Sequence, residues 1–181
     1  MASSTRFVFE PGSSEMRYRA RETFVDQPGL SEAVGATNQV SGSVVLTSDG
    51  SIVPEESKIT VDLSTLTSDR RLRDNFIKQN TLQTAQYPNA ELVLREVTDL
   101  LRPLPATGAD AFQLLGDLTV HGVTRPVRWD VQAQFTPEDV TGSANTLVKI
   151  TDFGMQTPRA GSVLSVEDEL RLELDFRARR A

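Results

Sequence analysis

No cysteine occurs among the 181 residues, which excludes disulfides, thiolate nucleophiles and zinc–thiolate centres and leaves the redox compartment open. Histidine occurs once, at His121, and tryptophan once, at Trp129. With one imidazole and no thiol, a metal site would fall to carboxylates such as Glu167, Asp168 and Glu169, consecutive residues that alternate across a strand, and no metal ligands are assigned. Positive charge is in deficit, 19 Lys and Arg against 25 Asp and Glu for a net charge of -6, so no general affinity for nucleic acid or an anionic membrane is expected. No apolar run is long enough for a membrane span, and Met1 to Thr5 leads straight into Arg6-Phe7-Val8-Phe9 without a signal-type apolar core. The expectation is therefore no integral span, with an exported location if a leader was removed ahead of this chain and a cytoplasmic one otherwise. A phosphate-cradling glycine loop, a nucleophile elbow and a dinucleotide fingerprint are also missing. No catalytic residue and no cofactor are assigned, and His121, beside Gly122 in a tight connection, reads as a rim residue bonded to its own turn.

What is present is alternation. The stretch GDLTVHGVTRPVRWDV, Gly116 to Val131, joins two runs of period two. Phe112, Leu114, Gly116, Leu118 and Val120 share one parity of the first run, and Val127, Trp129, Val131, Ala133 and Phe135 share one parity of the second. His121 to Pro126 is too short for a parallel crossover, so the runs form an antiparallel hairpin. Further strands are expected at Arg6 to Glu10, Ser13 to Phe24, Gln39 to Thr47, Lys58 to Leu63, Asn89 to Val97, Val140 to Thr151 and Ser165 to Ala178. Arg17, Arg19 and Arg21 would form the solvated face of the second of these, opposite Met16, Tyr18 and Ala20. Asp26 to Glu32, Leu100 to Asp110 and Phe153 to Gly161 read as loops.

One segment changes period. Thr67-Ser68-Asp69 offers an N-cap, and Leu72, Phe76 and Ile77 fall at helical spacing, which predicts a helix over about 68–79 with Arg70–Asp74 and Asp74–Lys78 pairs on its outer face. About eight strands with turn signals and one inserted helix favour an all-β antiparallel barrel or sandwich. A composition of 38% hydrophobic and 24% charged residues suits a single domain over 1–181.

Four stretches carry a family resemblance: TSDRRLRDNFIKQNTLQTAQYPNAELVL (Thr67 to Leu94), GDLTVHGVTRPV (Gly116 to Val127), TDFGM (Thr151 to Met155) and VEDELRL (Val166 to Leu172). Their content and order resemble the bacterial YceI-like family, and the likeness covers nearly the whole chain. It implies an extended eight-stranded antiparallel, lipocalin-like barrel whose lumen holds a polyisoprenoid or another long-tailed amphiphile. The chain departs from the family pattern at Arg21-Glu22-Thr23-Phe24, where a His-x-Gly element is usual, and at Lys149-Ile150-Thr151, where an Arg often precedes Asp-Phe-Gly.

Eight strands enclose a space that side chains fill or that one slim ligand occupies. Inward parity selects Met16, Tyr18, Val44, Leu46, Ile59, Val61, Leu92, Leu114, Leu118, Trp129, Val131, Leu147, Leu172 and Leu174, with Phe76 and Phe153 at an end. By pattern alone these residues either pack on one another or line a channel, and the resemblance favours the channel. Arg70, Arg71, Arg73, Arg125 and Arg159 are candidates to meet an anionic head group, because guanidinium matches phosphate and carboxylate geometry. The expected function is non-catalytic binding, with transport or storage as its use, of a polyisoprenoid, an isoprenoid quinone or a fatty amide. A filled barrel acting as a protein-interaction or stress-response module is the alternative, and a hydrolase or isomerase has the least support. A homodimer is compatible with the sequence.

Overall fold

The computed structural model describes residues 3–24, 29–100, 104–158 and 163–181. Ten strands form one antiparallel sheet: β1 (Ser4–Phe9), β2 (Glu15–Phe24), β3 (Leu30–Thr37), β4 (Val40–Thr47), β5 (Lys58–Asp62), β6 (Asn89–Thr98), β7 (Gly108–Val120), β8 (Val123–Phe135), β9 (Asp139–Lys149) and β10 (Val163–Arg180). The order β1-β4-β5-β6-β7-β8-β9-β10-β2-β3 is closed by pairing of β1 with β10.

Register explains why ten strands make an eight-stranded barrel. Both β1 and β2 run antiparallel to β10, β1 at Phe7↔Arg180 and β2 from Glu15↔Asp175 to Val163↔Phe24. In the same way β4 pairs with β1 and β3 with β2. So β1 and β2 are two halves of one strand bent at Pro11-Gly12, and β3 and β4 are two halves of the next, interrupted at Asn38-Gln39. Counted this way the ring is an up-and-down, chain-ordered barrel, closed through β1 and β10, in which the outer side of β3 meets the rest through the single bridge Ala36↔Thr67.

The central hairpin is tighter than its sequence suggests. Val120 pairs with Val123, leaving only His121 and Gly122 in the turn, both at positive φ (55° and 73°), as a two-residue hairpin demands. Val127, Trp129, Val131, Ala133 and Phe135 are buried while the residues between them are exposed, which is the expected alternation.

Three boundaries differ from expectation. β3 begins at Leu30, inside the loop read from Asp26 to Glu32, and the remainder of that loop at 26–28 lies outside the described residues. Its Ala, Gly and Ser content hides a strand whose small side chains are what lets β2's large ones pack over it. β7 begins at Gly108 rather than near Phe112, because the ladder with β8 continues to Gly108↔Phe135. The helix is shorter, α1 (Arg71–Phe76), and passes into one π-type turn at Ile77–Thr81, with Leu82 N–H donating to the Ile77 carbonyl. Asp74 reaches back to accept from the Ser68 backbone N–H (2.8 Å) and hydroxyl (2.5 Å), which holds Ser68 in the approach to α1 instead of at its cap, and Asp69 pairs with Arg73 one turn on at 2.5 Å.

One end of the barrel is closed by aromatic side chains. Phe7 meets Phe135 edge-on at 6.3 Å, Phe9 meets Phe176 at 6.2 Å, and the Arg180 guanidinium lies 5.3 Å over the Phe7 ring while donating to the Pro105 carbonyl. Arg180, the penultimate residue, is therefore part of this closure. The outward faces of β2, β3 and β10 carry ion pairs from Arg17 to Asp175 and Glu15 and from Arg19 to Glu32 and Glu173, so the arginine stripe lies on the outer face as its period implies, with Arg17 largely covered by its partners.

Candidate functional site

The other half of the barrel is hollow. A cavity of about 770 Å³ occupies it, within the range of about 300–1,000 Å³ usual for small-molecule sites. Its walls are apolar: Met16, Tyr18 and Ala20 from β2, Ala33 from β3, Ile59 and Val61 from β5, Ala90 and Leu92 from β6, Leu118 and Val120 from β7, Trp129 from β8, Val148 from β9, and Leu170, Leu172 and Leu174 from β10. The mouth is formed by Leu66, Arg70 to Arg73, Phe76 and Ile77 around α1, and by Ile150, Phe153 and Met155 from the turn after β9. Leu72 lines this mouth although it is 86% exposed.

Trp129 belongs to the floor. Together with Ile59, Leu92 and Leu174 it borders both the large cavity and a second one of about 100 Å³ deeper in the barrel. Its indole N–H is buried without a hydrogen-bond partner.

Of the residues chosen by inward parity, Met16, Tyr18, Ile59, Val61, Phe76, Leu92, Leu118, Trp129, Phe153, Leu172 and Leu174 line the large cavity. Val44, Leu46, Leu114 and Val131 line only the small one. Leu147 is a correction. It is 53% exposed, because β9 turns its even-numbered residues inward, as the burial of Val140 and Ala144 shows, and Val148 takes the wall position instead. Ala20, Ala33, Val148, Ile150, Met155 and Leu170 were not selected from the sequence, and neither was the most consequential lining residue, Glu22. Parity alone would have found it, since it shares the face of Met16, Tyr18 and Ala20.

Glu22 is 2% exposed. Its carboxylate accepts from Arg73 Nη1 at 2.9 Å, while Arg73 Nη2 donates to Asp69 at 2.5 Å and to the Ser68 hydroxyl at 3.1 Å. Arg73 Nε is buried and has no partner. Nearby, burial pushes the Tyr18 phenol up to about 12, with the Arg73 guanidinium pulling the other way. Arg70 and Arg71 line the mouth beside this group. Arg125 is exposed on the hairpin, donates to the Thr124 carbonyl at 3.2 Å and is not part of the wall, although its ladder partner Leu118 is. Arg159 lies outside the described residues.

His121 does not bond its own turn. Its Nε2 lies 2.6 Å from Gln83 Oε1 and its ring 4.7 Å from that of Tyr87, so it ties the hairpin to the segment leaving α1. Among the described residues no group of three or more His, Asp or Glu is placed to hold a metal ion, and no helix is long and apolar enough to cross a membrane.

Comparison with known proteins matches this architecture. A UPF0312 protein of Pseudomonas putida strain F1 is 36% identical over 118 residues, covering 60% of this chain and 58% of the relative's own length. A UPF0312 protein of Pseudomonas fluorescens strain SBW25 is 33% identical over 129 residues, covering 66% and 63%. Among solved structures, a polyisoprenoid binding domain from Saccharophagus degradans implicated in plant cell wall breakdown superposes with a TM-score of 0.67 at 12% identity, covering 99% of this chain and 98% of that one. BcnA of Burkholderia cenocepacia also gives 0.67, at 18% identity, covering 96% and 99%. The model of the YceI-like domain matches residues 7–178, which spans the closed barrel, the α1 insertion and the hairpin alike, and the chain belongs to the YceI-like family.

Proposed function

We propose that this protein binds one long-chain amphiphile, of the polyisoprenoid class or similar to it, with the tail in the large cavity and the head at the mouth, and that it does so without catalysis, as a carrier or store. The observation that carries this reading is the 770 Å³ cavity itself, apolar over nearly all its wall and ending on Trp129. Burial of a tail there would contribute about 0.8 kcal/mol per methylene, so a chain of modest length suffices for tight binding even after the loss of translational freedom. The polyisoprenoid-binding domain of Saccharophagus degradans, which shares the fold, supports the choice of ligand class. The polar groups at the mouth support the orientation, since they have no counterpart on the floor except a single indole N–H.

The test is extraction of the purified chain with organic solvent followed by mass spectrometry, and titration of the delipidated protein with a twenty-carbon isoprenoid while Trp129 emission is followed. A co-purified lipid and a saturable change in emission are expected. Absence of both would leave the hollow half of the barrel without this role.

A further inference from the structure

Resting on the tail-in-cavity reading, we infer that the α1 lip of the barrel mouth is a docking surface for an anionic lipid bilayer, the reservoir from which the tail enters the cavity.

One side chain marks the place. Leu72 is 86% exposed and yet lines the mouth of the cavity. A lone exposed leucine is ordinary on a protein surface, but this one extends the apolar wall, because Phe76 and Ile77 on the same lip line the cavity too. Apolar side chains therefore lead from the lumen out to a tip that water surrounds. Leu147, the other large hydrophobic that is mostly exposed among the described residues, lines neither cavity.

Charge around Leu72 is sorted by direction. Positions 68–80 hold four basic residues against two acidic ones, in a chain whose balance is -6. Both acids are engaged within the lip, Asp69 by Arg73 at 2.5 Å and Asp74 by Ser68, and Arg73 also meets Glu22 at 2.9 Å. Arg71 and Lys78 are left without an ion-pair partner, Arg71 exposed and Lys78 partly so. An apolar tip between cations suits an anionic interface: the leucine enters the boundary between headgroups and acyl chains while the basic groups stay among the phosphates.

The lip after β9 has the reverse character. Asp152, Glu167 and Glu169 are exposed there alongside one cation, Lys149, next to the lining residues Phe153 and Val166. An anionic surface attracts one lip and repels the other, so the barrel meets it α1 first. Repulsion from the rest of an acidic chain keeps the contact weak and sensitive to salt, as reversible pick-up of a lipid requires. A second copy of this chain fits the lip poorly, since a twofold contact centred on Leu72 would set Arg71 against its own counterpart. A bilayer offers both the negative charge and the tails.

The test sediments the delipidated full chain with vesicles of phosphatidylcholine alone or of phosphatidylcholine mixed with phosphatidylglycerol. At low salt the mixed vesicles should bind about tenfold or more tighter than the neutral ones, and added salt should erase the difference. Leu72→Ser should weaken binding to the mixed vesicles about fivefold to tenfold. Lys78→Glu, which reverses a charge outside the cavity wall, should weaken it about tenfold or more, and Leu147→Ser should leave it within about twofold. Thermal melting checks that each variant folds. Equal binding to both kinds of vesicle overturns the proposal, as does indifference to Leu72→Ser and Lys78→Glu together. A dimer in analytical ultracentrifugation that Leu72→Ser dissociates also overturns it, because the lip would then be a contact between copies. The reading beneath it fails separately: a chain that docks in this pattern while Trp129 ignores a twenty-carbon isoprenoid keeps the docking surface and loses the tail reading, whereas one that answers the isoprenoid but never sediments with vesicles loses the docking surface alone.

Discussion

Tyr18 and Gly35 stand opposite one another across the β2–β3 ladder, and a Cβ on Gly35 would lie 2.2 Å from the tyrosine ring. The ring rests where a side chain would otherwise be. In Gly35→Ala the ring has one direction of escape, into the cavity. The expected result is a folded protein that loses about 1–3 kcal/mol through overpacking and binds a twenty-carbon isoprenoid about tenfold more weakly. Chemical denaturation and Trp129 titration measure the two effects separately; unchanged affinity would show that the ring does not border the ligand.

Trp129 separates the two cavities, so it packs against protein on fewer sides than a core tryptophan does. Trp129→Ala should cost less than the roughly 3–5 kcal/mol typical of a filled core, and it should join the chambers. Affinity in the parent protein should rise with tail length and then level off where the tail meets the indole, whereas the variant should go on gaining with longer tails. A plateau at the same length in both proteins would place the stop elsewhere.

Tyr18 gives a pH signature. A phenol is uncharged when protonated, and its folded-state value near 12 lies above the ordinary 10.0, so the folded chain holds the proton more tightly than the unfolded one. Its contribution is complete below pH 10 and is lost as pH rises towards 12, about 2–3 kcal/mol in all. The loss in this window should be smaller in Tyr18→Phe than in the parent, with tyrosinate absorbance, read in a Tyr87→Phe background, reporting the pKa directly.

His121→Ala should leave ligand affinity within about threefold and lower stability by about 1–2 kcal/mol, through loss of the Gln83 bond and strain at a left-handed turn position. Equilibrium unfolding beside a binding titration checks both. Abolition of some measured turnover in a normally folded variant would instead make the protein an enzyme.

Much of the barrel was legible because period two is a local signal. The β8 alternation from Val127 to Phe135 and the apolar parity of β10 at Leu172 and Leu174 translate directly into inward positions. What escaped has three physical causes. β3 is made of small residues whose value lies in what they leave room for, Tyr18 over Gly35, and a strand chosen for its partner's bulk has no propensity of its own to read. Leu147 has the opposite cause: it is hydrophobic on a strand where inward Val140, Gly142 and Ala144 fix the parity against it. Glu22 has the third cause: a carboxylate on an inward face is expected only once its arginine is known, and Arg73 lies 51 residues away.

The partition at Ile59, Leu92, Trp129 and Leu174 divides the molecule's tolerance to change into two regimes. Beneath it, around Phe7, Phe135 and Phe176, substitutions are judged by whether the chain folds at all. Above it, at Met16, Val148 or Leu170, the wall faces a void and not a neighbour, so residues of different size are admitted with little effect on folding and a direct effect on which tail fits. A barrel arranged in this way can diversify its cargo without renegotiating its stability.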